Sequence, residues 1–401
     1  MTRTGTVPAE RSQPAMLISP ATHSIYPYIA AALVILFIAS VARFYHPGTG
    51  FTALIGFPAG DSFSSQTLRD TPHYEYPAWA SYDGQFYAQR AFDPFLRDPD
   101  IDRGMDSPPF RARRILFSWT AYVLGLGRPA WILEAYALQN VFCWLLTAVL
   151  LRRWVPVSSG RGLALWTACL FSHGMMWSVR FSLLDGPSLL LIAWSVAASE
   201  SGRSLSSAAI AGVAGLGRET NLLATFAQPV PAGRRTALRM GAGLVLAALP
   251  VLLWYDYLWS IYRSTLLKGA DSFVLPGTGL ARVWGAVLAG VARDGVLSGD
   301  GLSLCLLLAL AVQACYLFLR RDYEAPWWRV AAAYAVMMLF LHPTLVNPHT
   351  GAITRVLLAM TVGFNVLLAK ESRSIRFWPW FVAGNLHLIP VFRVMPLIPW
   401  Q

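Results

Sequence analysis

The chain is predicted to be an all-α polytopic membrane protein. Apolar residues make up 55% of its 401 residues and charged residues 13%, against about 25% charged in an ordinary soluble domain. Long apolar runs recur along the chain, and short clusters of Lys and Arg separate them. Because about 20 apolar residues in a helix cross a bilayer, the pattern predicts roughly 11 transmembrane helices. A soluble fold would have too little polar surface to cover these runs.

The net charge of +11 is explained by topology. Lys and Arg accumulate in cytoplasmic loops of membrane proteins, and here the basic residues lie in short clusters between apolar runs. This arrangement argues against a nucleic-acid partner. The four cysteines all lie within apolar runs without CxxC spacing, so we interpret them as reduced core residues.

The N-terminal part of the chain is predicted to contain a tail, an anchor and a long loop. Residues 1–24 form the cytoplasmic tail, and 25–44 form an uncleaved first span rather than a signal peptide. The single transmembrane domain then covers 25–401 and includes an extracytoplasmic loop over 45–130. Within this loop the short apolar run 115–126 predicts a helix on the membrane surface.

The rest of the chain is predicted to alternate between spans and short loops. Residues 205–230 are read as two half-spans that meet at Arg218-Glu219, because one continuous helix would put the following arginine cluster outside. The other predicted spans cover 131–151, 163–179, 184–198, 239–262, 302–319, 330–346, 352–369 and 377–392.

The first loop carries the leading candidate for catalysis. Asp83 lies in Tyr82-Asp83-Gly84-Gln85-Phe86-Tyr87, where glycine permits a tight turn beside the carboxylate. Such a carboxylate could act as a general base, or as a metal ligand, toward an acceptor hydroxyl. The alternative is an aspartate that bonds to its own backbone in a turn.

Three arginines follow in the same loop. Arg111, Arg113 and Arg114 carry forked guanidinium groups that suit phosphate oxygens. The alternative is that they anchor the loop to lipid headgroups.

Further charged residues come from later spans at a similar depth. Asp185 is interpreted either as a helix N-cap or as a second carboxylate of the site. Arg218 and Glu219 form either an internal ion pair or a phosphate-binding arginine oriented by its neighbour. With Arg355, these residues predict one polar cavity that opens at the outer face, since each isolated charge in a bilayer is costly.

Several motifs resemble bacterial GT-C-type membrane glycosyltransferases of a group linked to cell-surface glycopolymer formation. The likeness rests on the Tyr82–Tyr87 segment and on Asp93-Pro94-Phe95, and continues through Arg111-Ala112-Arg113-Arg114-Ile115-Leu116. Three later segments add to it: Leu184-Asp185-Gly186-Pro187, Gly217-Arg218-Glu219-Thr220 and Thr354-Arg355-Val356-Leu357.

The resemblance implies a GT-C-like helical bundle that uses a polyprenyl-phosphate sugar donor and a glycan or lipid acceptor. The enzyme would lie in the bacterial inner (cytoplasmic) membrane, with its site facing the periplasm or exterior, and would usually invert the anomeric centre. The family's loop acid maps onto Asp83, and its arginines map onto Arg113 and Arg114. Together with the charged residues above, we expect Arg111 and Arg218 to bind the donor phosphate, and Tyr82, Gly84, Tyr87, Asp185, Glu219 and Arg355 to support the site.

No cofactor is required by the sequence. A divalent cation is compatible with the resemblance, although this chain has one loop aspartate where a pair would hold a metal. Two other functions fit the same charged cavity: a lipid-linked sugar flippase or transporter, and a non-catalytic subunit of a glycopolymer assembly system.

Overall fold

Helices dominate the computed structural model, which describes residues 24–60, 62–77, 82–231, 233–263 and 272–393. The only regular strands in these ranges are β1 (Phe57–Pro58) and β2 (Glu75–Tyr76), which pair in parallel with Phe57 opposite Glu75. The all-α class is therefore confirmed. The predicted tail, 1–24, lies outside the described residues except for Ser24.

The helices in the N-terminal half are short in the loop and longer after it. Their bounds are α1 Tyr26–Ala42, α2 Gln66–Arg69, α3 Gly84–Arg90, α4 Pro99–Arg103, α5 Pro108–Ala112, α6 Leu116–Leu124, α7 Pro129–Leu151, α8 Gly160–Leu170, α9 His173–Arg180 and α10 Asp185–Glu200.

The remaining helices complete the bundle. Their bounds are α11 Ser204–Gly217, α12 Arg234–Tyr262, α13 Thr278–Asp294, α14 Gly299–Arg320, α15 Pro326–Met338, α16 Pro343–Val346, α17 Ala352–Val356, α18 Leu358–Leu368 and α19 Ser374–Gly384. The described residues also contain four 3₁₀ segments, at Thr52–Leu54, Glu219–Ala227, Leu386–Leu388 and Pro390–Arg393.

Three of the described helices are long and apolar enough to cross a membrane: α7, α12 and α14, with 23, 29 and 22 residues. At 1.5 Å per residue, each is longer than the ~30 Å hydrocarbon core. Only 11% of the apolar window of α12 is buried, and its exposed side chains include Leu244, Leu249 and Leu253. Such a surface suits contact with lipid, in keeping with a membrane protein.

The predicted count of about eleven spans is wrong, because only three described helices are continuous, apolar and long enough to span a membrane. The span predicted at 352–369 divides into α17 and α18, and the latter has 11 residues, or about 16 Å of helix. The spans at 163–179 and 330–346 divide in the same way, into α8 with α9 and into α15 with α16. Every residue of α18 is buried, and broken helices are tolerated where protein surrounds them.

The two half-spans predicted over 205–230 are confirmed as two separate segments. The helix α11 ends at Gly217, Arg218 is extended with φ −165° and ψ 133°, and a 3₁₀ segment begins at Glu219. The Asn221 amide closes the break, because its Nδ2 donates to the Ala214 carbonyl and to Ser188 Oγ at 2.8 Å each. The break puts Arg218 and Glu219 at the end of a helix, where their side chains can diverge.

The first loop is held against the bundle by buried hydrogen bonds. The backbone N–H of Phe51 donates to Glu134 Oε1 at 2.8 Å, and Arg180 Nη1 donates to the Ala53 carbonyl at 3.2 Å. Ser182 Oγ donates to the Leu54 carbonyl at 3.2 Å. The predicted helix at 115–126 is present as α6 and packs on α7. Ser118 Oγ of α6 donates to the Tyr87 carbonyl of α3 at 2.8 Å, which joins α3, and hence Asp83, to this frame.

Candidate active site

A cavity of about 850 Å³ lies between the first loop and the late helices. Its charged wall residues come from both regions of the chain. Eight of the sequence-predicted residues line it together: Tyr82, Asp83, Tyr87, Arg111, Arg114, Asp185, Arg218 and Arg355. Arg113 and Glu219 instead line a second cavity of about 440 Å³, which also contains Arg114 and Arg218 in its wall.

Asp83 and Asp106 share one arginine. Arg111 Nη2 donates to Asp83 Oδ1 at 2.9 Å and to Asp106 Oδ2 at 2.7 Å, and its Nε donates to Asp106 Oδ1 at 2.9 Å. Its Nη1 donates to the Tyr87 hydroxyl at 3.3 Å. The Arg111 side chain is 6% exposed, while those of Asp83 and Asp106 are 42% and 38% exposed. We call Asp83, Asp106 and Arg111 the acidic wall. Its two carboxylates are therefore exposed to the cavity.

The surroundings of Asp83 keep its carboxyl ionised. Burial raises its pKa. The positive charges of Arg111 and Arg355 and the hydrogen bond from Arg111 lower the pKa by more than burial raises it, so it lies below its usual value. The carboxylate is enclosed by protein, and its exposed surface faces the cavity it lines. A ligand in the cavity would meet a carboxylate.

The backbone around Asp83 differs from the predicted turn. Asp83 stands at the N-cap position of α3, but its side chain makes no capping hydrogen bond. Gly84 is required for close approach: a Cβ there would lie 2.1 Å from the Phe181 carbonyl oxygen. The interpretation of Asp83 as an aspartate bonded to its own turn is therefore wrong.

A second cluster of charged residues lines the same cavity. Asp185 accepts a hydrogen bond from Arg218 Nη1 and another, at 3.1 Å, from Arg355 Nη1. Arg355 Nη2 also donates to the Tyr82 hydroxyl at 2.7 Å, and that hydroxyl donates to the Thr350 carbonyl. The Asp185 side chain is 4% exposed. We call Asp185, Arg218 and Arg355 the basic wall, because two guanidinium groups share one carboxylate.

Two predictions about this cluster are wrong. Asp185 is the first residue of α10 rather than its N-cap, which is Leu184, and its carboxylate bonds to the two arginines. Arg218 and Glu219 do not pair with each other: Glu219 accepts from Arg114 Nε at 3.2 Å and from the Tyr255 hydroxyl at 3.1 Å. Because the backbone at Arg218 is extended, the Arg218 side chain bonds to Asp185 and the Glu219 side chain bonds to Arg114.

The second cavity is mainly apolar and adjoins the first. The two share Phe110, Arg114, Arg218, Ser272, Leu345 and Val356 in their walls. The second adds the side chains of Leu222, Leu223, Phe273, Met337 and Leu341. Phe110 lies 4.5 Å from the Arg114 guanidinium, in cation–π contact. The charged cavity thus lies beside an apolar one, with Arg114 and Arg218 in the walls of both.

Sequence reasoning missed three site residues. Asp106 lies five residues before Arg111, and a carboxylate so close to a candidate phosphate-binding arginine was a usable signal. Tyr255 and Thr350 gave none, because their contacts are with Glu219 and Tyr82, 36 and 268 residues away.

A metal does not suit the residues that surround Asp83. Among the described residues, no group of three or more His, Cys, Asp or Glu side chains is placed to hold one. Both carboxylates of the acidic wall are bonded to Arg111.

Comparison with protein-family models, with curated proteins and with solved structures finds no match for this chain.

Proposed function

We propose that the protein is a membrane glycosyltransferase, which moves a sugar from a polyprenyl-phosphate donor to a glycan or lipid acceptor. The observation that carries the proposal is one cavity lined by both the acidic and the basic wall, beside an apolar cavity that shares six of its lining residues. A lipid-linked sugar phosphate has matching parts: an apolar chain, a phosphate and a sugar carbon open to attack.

The donor phosphate would bind at the basic wall and Arg114. Arg218 uses only Nη1 among its described hydrogen bonds, and Arg114 uses Nε and Nη1, so both retain N–H groups for phosphate oxygens. Arg111 differs, because Asp83, Asp106 and Tyr87 occupy its Nε and both Nη atoms. We therefore assign Arg111 a positioning role toward Asp83, and the apolar cavity would take the first units of the polyprenyl chain.

The transfer step needs a base on one side of the sugar and a stabilised leaving group on the other. The acceptor hydroxyl oxygen attacks the anomeric carbon, and its proton passes to the Asp83 carboxylate. The bond from the anomeric carbon to the phosphate oxygen breaks, and its electron pair leaves with polyprenyl phosphate. Arginines at the basic wall would stabilise this growing negative charge, and attack on the side of the anomeric carbon opposite the leaving phosphate would invert the anomeric centre.

The lowered pKa of Asp83 fits a base that acts late in the step. The carboxylate is ionised at neutral pH and therefore available, but it is too weak to ionise a free hydroxyl. Proton transfer becomes favourable only as the bond to phosphate breaks and the acceptor oxygen gains positive charge. The chemistry thus requires both walls at once.

Reconstituted protein tests the proposal directly. Liposomes containing the purified chain would receive polyprenyl phosphate carrying radiolabelled glucose, mannose or arabinose on the outer leaflet, together with bacterial envelope lipids and glycans as acceptors. Release of polyprenyl phosphate with equal incorporation of label into acceptor is expected for one of the sugars. Movement of intact donor across the bilayer would identify a flippase instead, and neither outcome with any sugar would favour a non-catalytic subunit.

A further inference from the structure

An amphipathic groove lies away from the cavity, at the C-terminal end of α7. The residues of α7 that meet the site region lie in its first half, where Glu134 binds the first loop and Asn140 Nδ2 donates to the Leu183 carbonyl at 2.8 Å. The groove uses the last residues of α7 and the turn after it. The 18 positions from Glu134 to Arg152 correspond to about 27 Å along a helix, so the two sites are well separated.

The groove consists of two hollows of about 450 and 250 Å³ that share Pro27, Val149, Arg152 and Val157. The smaller hollow is apolar except at Arg152, and its floor contains Ala30, Ala31, Val34, Leu145, Ala148 and Trp166. The larger adds Arg153, Pro156 and Ser158 at the mouth. We call this surface the α1–α7 groove.

The smaller hollow of the groove lies between residues of α1 and α7. Phe37 stacks on Trp144 with ring centroids 3.7 Å apart, which joins the two helices on one side of the groove. Toward the start of α1, the small side chains of Ala30 and Ala31 line the same hollow as Val149. The apolar floor therefore ends at the two arginines that follow α7.

The charges at the mouth favour an anion. Arg152 takes part in none of the ion pairs found among the described residues, and it is exposed. Arg153 is half-exposed and pairs with Glu200 at 3.3 Å, a carboxylate that also accepts from Trp154 Nε1. An aliphatic floor with basic residues at the end of a membrane-spanning helix has the chemistry of an anionic lipid site.

We propose that the α1–α7 groove binds an anionic phospholipid of the bilayer, with its phosphate at Arg152 and Arg153 and an acyl chain along Val34, Leu145 and Val149. Two other occupants fit less well. Residues 1–23 contain two arginines and one glutamate, so they offer no excess negative charge to Arg152. A second copy of this chain, docked symmetrically, would bring the same arginines together. The proposal does not depend on the transfer reaction.

Photo-crosslinking locates the lipid. The full-length protein, in neutral-lipid nanodiscs, would receive phosphatidylglycerol with a photoreactive acyl chain, and labelled peptides would be mapped by mass spectrometry. Labels are expected on peptides containing Val34, Leu145 or Val149, and Arg152→Gln should weaken the labelling about fivefold, since one basic residue near anionic lipid contributes about 1 kcal/mol. Arg203→Gln, at an exposed arginine that does not line the groove, is the matched control.

Three results would overturn the proposal. One is equal labelling by photoreactive phosphatidylcholine, which would mean a groove that merely accepts acyl chains. Another is full competition by inorganic phosphate, which would mean an anion site without a lipid. The third is an unlabelled groove in the unmodified protein, which would mean that another occupant, such as residues 1–23 or a second copy, fills it.

Discussion

The acidic and basic walls of the cavity use the same residue types in opposite ratios. In the acidic wall, two carboxylates share Arg111, and both are more than a third exposed. In the basic wall, Arg218 and Arg355 share Asp185, whose side chain is 4% exposed. One wall therefore has a surplus carboxylate facing the cavity, and the other has a surplus guanidinium.

The difference assigns separate tasks to the two walls. A surplus carboxylate that is ionised and accessible can accept a proton, whereas a surplus guanidinium can bind a phosphate. Exposure matters too, because a charge that loses its partner costs far more when it is buried. The comparison predicts that substitutions in the basic wall will affect folding and phosphate binding, and that those in the acidic wall will affect chemistry.

The largest stability effect is expected for Asp185→Ala. This change leaves the buried Arg355 and the mostly buried Arg218 without their shared carboxylate. The free energy of unfolding should therefore fall by about 3–5 kcal/mol, measured by reversible denaturation in mixed micelles. Asp106→Ala is the matched change in the acidic wall. It should cost less than half as much, because Arg111 keeps Asp83. Equal losses would mean that the two walls do not differ in this way.

Arg218→Lys separates charge from shape in the basic wall. Lysine keeps the ion pair with Asp185 but loses the planar fork that suits phosphate oxygens, so turnover should fall about 10²–10³-fold with little loss of stability. Arg320→Lys, in an ion pair with Glu371 outside the cavity, serves as the control. If the two lysine variants transferred sugar equally well, Arg218 would have no role with phosphate.

Arg111→Gln should change the pH dependence of transfer. In the proposed mechanism the ionised Asp83 is the active form, and its pKa lies below the usual value because positive charges outweigh burial. Without Arg111, burial should raise that pKa, so the acidic limb of kcat/KM should move to higher pH. A limb at the same pH would show that Asp83 is not the titrating base.

The same shift gives the sign of the pH effect on folding. Because the pKa of Asp83 is lower in the folded chain than in the unfolded one, its contribution stabilises the protein above the ordinary aspartate pKa. That contribution is lost as pH falls through the folded-state pKa. The Arg111→Gln variant should lose this part of its stability.

The smallest effect is expected for Tyr82→Phe. The change removes one hydroxyl that accepts from Arg355 and donates to Thr350, and should cost about 1 kcal/mol in stability with a modest loss of turnover. A loss as large as that of Arg218→Lys would place the hydroxyl in the chemistry.

The sequence predicted which charged residues would meet, but not how they pair. Apolar runs and basic clusters indicated the order of membrane segments, and this order brought Asp83, Asp185, Arg218 and Arg355 to one depth. Neighbours in sequence suggested an Arg218-Glu219 pair, whereas the extended backbone at Arg218 separates them. Pairings across 33 and 170 residues, such as those of Asp185, depend on packing that no local pattern encodes.

The span count failed for a related reason. Hydropathy treats an apolar run as one helix, although a run buried in protein can break wherever side chains satisfy the free backbone groups. The boundary between α8 and α9 is one example, since Ser172 Oγ donates to the Cys169 carbonyl there. α12 was predicted well because its surface faces outward along most of its length.

Two matched variants test the central claim most directly. Asp83→Asn and Asp106→Asn each remove one carboxylate charge from the same arginine, at similar exposure, so they should alter folding alike. Turnover of the polyprenyl-phosphate sugar, measured for both in the reconstituted assay, should be at least 10²-fold lower for Asp83→Asn and within a few fold of the unmodified protein for Asp106→Asn. Equal turnover by the two variants would contradict the assignment of Asp83 as the base.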